Sequence, residues 1–188
     1  NSRTAEMDRF ANITRFFNCG SEVATANELH IQIPASPRTS DRESEPEMRS
    51  FKIADTLIQS VEKDANGVFV VNIPAPGLVG ETGSLERTIE AVQYVDTCLS
   101  GMVDAIREAG GISVITSTHG NCENMLLPSG EENRSATTNS VPFHIGDDDL
   151  HGIQLRQGGS LQDVAPTILG ILGIEKPETM TGSDLRFA

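Results

Sequence analysis

The sequence contains no tryptophan, one tyrosine and seven phenylalanines in 188 residues, so aliphatic side chains must form most of its core. Its three cysteines, an odd number without a Cys-x-x-Cys pair, favour reduced thiols over a disulfide framework. We therefore expect an intracellular location, with cytoplasm, chloroplast and mitochondrion left open. No apolar run approaches the roughly 20 residues of a membrane-spanning helix. Basic residues are also scarce, and the net charge of −13 disfavours nucleic acid and anionic membranes as partners.

A chain of this length can build one good hydrophobic core, and we expect a single domain over residues 1–188. The clearest predicted helix covers residues 85–109, where apolar residues recur at helical spacing between Ser84, a plausible N-cap, and two glycines. Further helices are predicted over residues 48–63 and 161–172. Short apolar or alternating runs predict strands over residues 13–17, 28–34, 68–72, 111–116 and 141–145.

The order of these elements indicates an α/β fold. A strand at 68–72, a helix at 85–109 and a strand at 111–116 are typical of a βαβ unit, in which the two strands lie parallel. We therefore predict three layers, with a mostly parallel sheet and helices on both faces. Polar, glycine- or proline-rich loops are predicted over residues 35–46, 74–84 and 117–139. The last two follow strands, where α/β proteins place their functional residues.

The loop after residue 116 carries one candidate metal ligand, His119. A hard divalent cation would need a carboxylate beside it, but the neighbouring Thr118 is neutral and a poor ligand. His119 is then either a remnant of a metal site or a residue that hydrogen-bonds within its turn. Cys122 lies close by, with little around it to activate a thiol. The acidic run at residues 147–149 is more typical of a solvated turn.

Seven short motifs occur in a characteristic order along almost the whole chain. They are T-R-F-F-N-C-G-S-E at 14–22, E-P-E-M at 45–48, V-G-E-T-G at 79–83, T-S-T-H-G-N at 116–121, T-T-N-S-V-P-F at 137–143, D-V-A-P-T-I-L at 163–169 and M-T-G at 180–182. With them the chain resembles the C-terminal part of the phosphatase domain of cofactor-independent phosphoglycerate mutases, in the alkaline-phosphatase-like superfamily. The resemblance implies a truncated domain that lacks the family's N-terminal segment, with its serine nucleophile, and the inserted transferase domain.

Members of that family hold two manganese ions beside the serine, and the resemblance places five of their ligand positions in this chain. These positions are occupied by Gly77, Glu81, Thr118, His119 and Ala136. Only His119 is of the family's type, and Glu81 could still coordinate an ion through its carboxylate. We therefore expect no cofactor and no catalytic residue, with Glu81 and His119 as vestigial positions.

Retained apolar patterns beside replaced ligands are typical of a pseudoenzyme. We predict a catalytically inactive protein that acts as a structural or docking subunit of a larger assembly, with other protein subunits as partners. A missing family strand would leave an open sheet edge for such a partner to cover. Two alternatives remain open. One is a metal-dependent mutase that interconverts 2- and 3-phosphoglycerate, and the other is a phosphate or small-ligand sensor in which Arg9 is the candidate phosphate contact.

Overall fold

A computed structural model of the protein describes residues 1–34, 46–150 and 154–186. The predicted loop at 35–46 lies outside the described residues except for its last position. The chain divides into two compact units, the first formed by Asn1–Gly111 with His119–Ser140 and the second by Ile112–Thr118 with Val141–Ala188. The organisation of residues 1–188 as a single domain stays a prediction. No helix in the described ranges is both long and apolar enough to cross a bilayer.

The first unit is built on a three-stranded parallel sheet. Its strands are β1 (Ser2–Glu6), β2 (Leu29–Ile33) and β3 (Phe69–Val71), in the order β2-β1-β3. Ser2 of the central strand lies opposite Leu29 on one side and Phe69 on the other. The predicted strands at 28–34 and 68–72 are thereby confirmed.

Four helices accompany this sheet: α1 (Phe10–Ile13), α2 (Pro46–Lys63), α3 (Ala75–Gly80) and α4 (Leu85–Glu108). Helix α4 begins as predicted, because the Ser84 hydroxyl accepts a hydrogen bond from the backbone N–H of residue 87 at 3.4 Å. The predicted helices at 48–63 and 85–109 are therefore present with small differences at their ends.

Helices cover both faces of the sheet at β3. Phe69 and Val71 pack against one hydrophobic cluster, formed by α2 and α4 through Ala54, Leu57, Val61, Cys98 and Met102. Val70, which points to the opposite face, packs against a second cluster of Ala5, Phe10 and Ile13, the last two from α1. The predicted α/β fold, with a parallel sheet and helices on both faces, is thus confirmed.

The second unit contains an antiparallel strand pair. Strands β4 (Ser113–Thr116) and β5 (Phe143–Gly146) pair so that Ser113 lies opposite Gly146. The Ser113 hydroxyl occupies the place that a side chain at residue 146 would need. The predicted βαβ unit is therefore wrong in its pairing, since β4 pairs with β5 and no described residue pairs it with β3.

The same unit contains helix α5 (Val164–Ile171), which a 3-10 turn precedes. Buried Asp163 fixes this start: its carboxylate accepts hydrogen bonds from the backbone N–H of Ser160 (2.8 Å) and Ser183 (2.7 Å) and lies 3.3 Å from Arg156. These bonds hold the pKa of Asp163 below its ordinary value, with the Ser183 bond contributing most. One carboxylate therefore joins the start of α5 to the segment that follows it.

Two local predictions are wrong. Residues 13–17 do not form a strand: Ile13 ends α1, the Thr14 hydroxyl donates to the Phe10 carbonyl at 2.9 Å, and a series of turns follows. The loop predicted over residues 74–84 contains α3. Pro76 lies in its first turn, where a proline costs no helical hydrogen bond because that N–H has no partner within the helix.

Candidate functional site

The two loops that carry the family-like motifs meet within the first unit. The Cys122 thiol donates a hydrogen bond to the Pro76 carbonyl of α3 at 3.4 Å. A side chain at Gly80 would overlap the amide oxygen of Asn121, so this close approach requires glycine. Burial, then the negative charge of Glu123, raises the pKa of Cys122. The thiol is thus protonated at neutral pH and poorly suited to act as a nucleophile.

Glu123 organises the loop from residue 119 to residue 139. Its carboxylate accepts hydrogen bonds from the Thr137 hydroxyl, the Asn139 amide (2.9 Å) and the backbone N–H of Asn121 (2.6 Å). These bonds, the one from Thr137 first, lower the pKa of Glu123 to about 2. The backbone N–H of Thr137 also donates to the Gly120 carbonyl at 2.8 Å, so the two ends of the loop are joined at the same place. Glu123 was not among the residues predicted from the sequence, although a carboxylate two residues after Asn121 and a Thr-Thr-Asn triplet at 137–139 are visible signals.

Helix α3 brings two of the five family ligand positions, Gly77 and Glu81, close together. The backbone N–H of Glu81 donates to the Gly77 carbonyl at 3.0 Å, and the Glu81 side chain is exposed. Within the described ranges, no atom outside helix α3 lies within 4 Å of a Cβ placed at Gly77, so this position is open. His119 is exposed, and its Nδ1 donates to the Gly120 carbonyl at 3.0 Å. The predicted hydrogen bond of His119 within its own turn is therefore present.

The two remaining ligand positions are exposed as well. Ala136 lies in the first unit beside Thr137, and Thr118 belongs to the segment 112–118 of the second unit. Neither residue type offers the carboxylate or imidazole that the resemblance requires there. In the described parts of the chain, no group of three or more His, Cys, Asp or Glu side chains is placed to hold a metal ion. The residues at these five positions therefore do not fit the family's pair of ions.

A buried ion pair marks the carboxyl end of β1. Glu6, which is 1% exposed, has its Oε2 3.1 Å from Nη1 of Arg49 on α2. Burial raises the pKa of Glu6, and the positive charges of Arg49 and Arg9 offset part of that effect. Among the described residues, the second carboxylate oxygen of Glu6 and Nε of Arg49 are buried and have no hydrogen-bond partner. Arg9, the candidate phosphate contact, is thus close enough to Glu6 for its positive charge to lower the pKa of that carboxyl. Its contact with phosphate stays a prediction.

The acidic run at 147–149 forms a turn. The backbone N–H of Asp149 donates to the Asp147 carboxylate at 2.9 Å, and both Asp148 and Asp149 are exposed. This is the bonding of a solvated turn, in which a side chain accepts from the backbone two residues on. It agrees with the interpretation that the sequence favoured.

Comparisons with known proteins identify the family. The signature of the metalloenzyme superfamily matches residues 1–176. The 2,3-bisphosphoglycerate-independent phosphoglycerate mutases of Clostridioides difficile (strain 630) and Picosynechococcus sp. are each 40% identical, over 184 and 190 residues respectively. A crystal structure of Leishmania mexicana phosphoglycerate mutase at low cobalt concentration has a TM-score of 0.85 and 27% identity. The matches to these three mutases each cover 97% of this chain but 36% of the relative.

These matches confirm the resemblance that the motifs indicate, to the C-terminal part of cofactor-independent phosphoglycerate mutases, and the alkaline-phosphatase-like α/β fold. They also correct one prediction. We expected no cofactor, and the match to a superfamily of metal-dependent enzymes contradicts that expectation. We had based the expectation of no cofactor on five ligand positions alone, in a chain that spans 36% of the length of its relatives. The chain belongs to the metalloenzyme superfamily.

Proposed function

We propose that this chain is a phosphoglycerate-mutase-like protein without mutase activity that acts as a structural or docking subunit of a larger protein assembly. The observation that carries the proposal is the set of residue types at the family's ligand positions. Gly77, Thr118 and Ala136 provide neither a carboxylate nor an imidazole. Phosphoryl transfer depends on positioning and on charge stabilisation by such groups, so their replacement removes much of its basis.

The surroundings of Gly77 support this proposal. Among the described residues, a Cβ at this position would meet no atom within 4 Å outside its own helix, so a residue larger than glycine can begin there without a clash. The fold therefore does not impose the glycine. Packing elsewhere remains close, as at Gly80 against Asn121. Changed residue types at family ligand positions beside closely packed neighbours are what we expect when selection maintains the fold and no longer the mutase reaction.

A mutase assay tests the inactive part of the proposal. The chain is incubated with 3-phosphoglycerate and Mn²⁺, and the formation of 2-phosphoglycerate is followed with a coupled enolase reaction. We expect no turnover above the buffer blank, with the Clostridioides difficile mutase as the positive control. Turnover that the substitution His119→Ala abolishes would contradict the proposal.

The native mass of the particle that contains the chain tests the docking part. Size-exclusion chromatography of gently lysed source cells, with antibody detection of the chain in the fractions, should place it well above the mass that the same antibody detects after denaturing electrophoresis. A free monomer in the lysate would contradict a subunit role. The measurement is independent of the activity assay, so each part of the proposal can fail alone.

The small-ligand alternative has one supporting observation, the half-buried Arg9 beside the buried Glu6–Arg49 pair. Calorimetric titration with inorganic phosphate and with 3-phosphoglycerate tests it. Binding that weakens at least tenfold in Arg9→Met, while the exposed control Arg107→Met keeps it, would favour a sensor over a purely structural subunit.

A further inference from the structure

Only one asparagine of the sequence is followed by glycine, and it lies in the connection between α2 and β3. Asn66 and Gly67 come after the end of α2 at Lys63 and before the start of β3 at Phe69, and both are exposed. Asparagine is a thermolabile residue because the backbone nitrogen of the next residue can attack its carboxamide. Glycine has no Cβ to obstruct that attack. Whether the reaction occurs in the folded protein then depends on how firmly these two residues are held.

The fold holds both reacting groups loosely. Among the residues that the structure describes, no group accepts a hydrogen bond from the backbone N–H of Gly67. The Asn66 carboxamide has one described hydrogen bond, a long one of 3.4 Å from its nitrogen to the exposed Asp64 carboxylate. The carbon of the carboxamide and the Gly67 nitrogen can therefore approach each other by rotation in the bend, without the loss of a helix or sheet hydrogen bond.

Other asparagines of the first unit are held more firmly. Asn121 and Asn133 are buried, and the amide nitrogen of each donates to a backbone carbonyl, at 3.1 and 2.8 Å respectively. Asn139 is exposed, but its amide donates to the Glu123 carboxylate at 2.9 Å. The residue after each of these three has a Cβ. Asn139 is therefore a matched comparison for Asn66, because exposure is the same and only the restraint and the next residue differ.

We propose that Asn66 is a site of spontaneous deamidation, at which the folded protein converts into an isoaspartyl form. The Gly67 nitrogen loses its proton to solvent and bonds to Cγ of Asn66, the C–N bond of the carboxamide breaks, and ammonia leaves with a proton from water. Water then opens the resulting succinimide ring. Cleavage between the Gly67 nitrogen and the backbone carbonyl carbon of residue 66 gives isoaspartate, and cleavage at Cγ gives aspartate. One water is consumed for each ammonia released, and no other reactant is needed.

The isoaspartyl form has an altered main chain directly before β3. The chain runs through Cβ and Cγ of residue 66 and so contains one more carbon atom than a normal peptide. The adjacent Val68 accepts a hydrogen bond from the Ser2 N–H at 3.0 Å and donates to the Asn1 side chain at 2.9 Å. We expect the insertion to displace these partners and to weaken the pairing of β1 with β3. The new carboxylate also makes a net charge of −13 more negative.

Incubation of the purified chain at neutral pH and physiological temperature for several weeks tests the site. Mass spectrometry with electron-transfer fragmentation locates deamidation and distinguishes isoaspartate from aspartate. The same chain unfolded in guanidinium chloride is the reference. We expect Asn66 to deamidate in the folded protein at a rate within tenfold of that in the unfolded chain, and Asn139 to be slowed by folding at least tenfold. Protection of Asn66 by more than tenfold would overturn the proposal.

A pair of glutamine substitutions assigns the product. Asn66→Gln keeps a carboxamide but would have to close a six-membered ring, which is slow, and Asn139→Gln is the matched control. Circular dichroism checks that both variants are folded. We expect the acidic species that anion-exchange chromatography resolves after ageing to be absent from Asn66→Gln and present in Asn139→Gln. If it persists in Asn66→Gln, another residue deamidates first and the proposal is wrong.

The effect on β3 is measured against Asn66→Asp, which has the same charge as the aged protein but a normal main chain. Urea unfolding followed by circular dichroism compares this variant with the aged acidic fraction. We expect the aged fraction to unfold at a lower urea concentration. Equal midpoints would show that the bend accommodates the extra carbon, and would contradict the expected weakening of the β1–β3 pair. None of these outcomes depends on whether the chain is a subunit of an assembly.

Discussion

Replacing Arg49 with methionine should lower the free energy of unfolding by about 3 kcal/mol at neutral pH, because the Glu6 carboxylate loses its counter-charge. The two groups are 3.1 Å apart, and their side chains are 15% and 2% exposed. Removing one partner of a buried ion pair costs roughly 3–5 kcal/mol, and the partial exposure of Arg49 places the expected value at the lower end. In a chain of this length that change corresponds to a melting temperature lower by about 6–12 °C.

The loss should depend on pH in a definite direction. Burial already raises the pKa of Glu6 above its ordinary value of 4.5, and Arg49 is the main group that opposes this. Without Arg49 the pKa of Glu6 in the folded state rises further. A carboxyl group with a raised folded-state pKa binds its proton more tightly when folded, so stability falls as the pH rises from the unfolded pKa through the folded one. The difference between Arg49→Met and the unsubstituted protein should therefore grow from about pH 5 to about pH 8.

Urea unfolding followed by circular dichroism at these two pH values measures the effect. Arg107→Met is the matched control: Arg107 pairs with Asp104 at 2.9 Å on the surface, where the side chains are 58% and 53% exposed. Its removal should change stability by less than about 1 kcal/mol. Adding Glu6→Gln to Arg49→Met should restore part of the loss at the higher pH. If Arg49→Met behaves like Arg107→Met, or if its deficit is the same at both pH values, the reasoning is refuted.

Three further predictions concern the loops and their helices. Gly80→Ala should cost about 1–3 kcal/mol in urea unfolding, because its methyl group would overlap the Asn121 amide oxygen. Gly77→Ala, in open space, should stabilise the protein by about 0.5 kcal/mol, and equal effects at the two glycines would contradict the contact. Glu123→Gln should be less stable than the unsubstituted protein above pH 4.5, and the two melting curves should converge as the pH falls from 4.5 towards 2, where Glu123 takes up its proton in the folded state. A difference that persists unchanged in acid would show that the charge is irrelevant. Ser84→Ala should cost about 1 kcal/mol and speed amide exchange in the first turn of α4, and unchanged exchange there would argue against the cap.

The sequence predicted the long helices well because each offers many turns of apolar periodicity. Helix α4 has 24 residues and a serine cap, whereas α1 and α3 have four and six residues and too few periodic positions to reveal them. The partner of β4 could not be predicted, because strand pairing depends on which distant segment returns beside it. For the site, motif order identified the ligand positions, but the hydrogen bonds of Glu123 depend on a loop closure that spacing alone does not encode.

The hydrogen bonds of Glu123 also fix both ends of the loop between residues 121 and 139. Residues 121 and 139 are held by the same carboxylate, and an isolated bridge between Leu126 and Glu132 narrows the loop further. Its exposed tip turns at Gly130, whose φ of 86° is in the left-handed region, and no atom of the part of the chain that the structure describes lies within 4 Å of a Cβ placed there. Because both ends are fixed, a longer tip adds little closure entropy. An affinity tag inserted beside Gly130 would therefore give a handle for isolating the native particle from cells while both edges of the β2-β1-β3 sheet remain untouched.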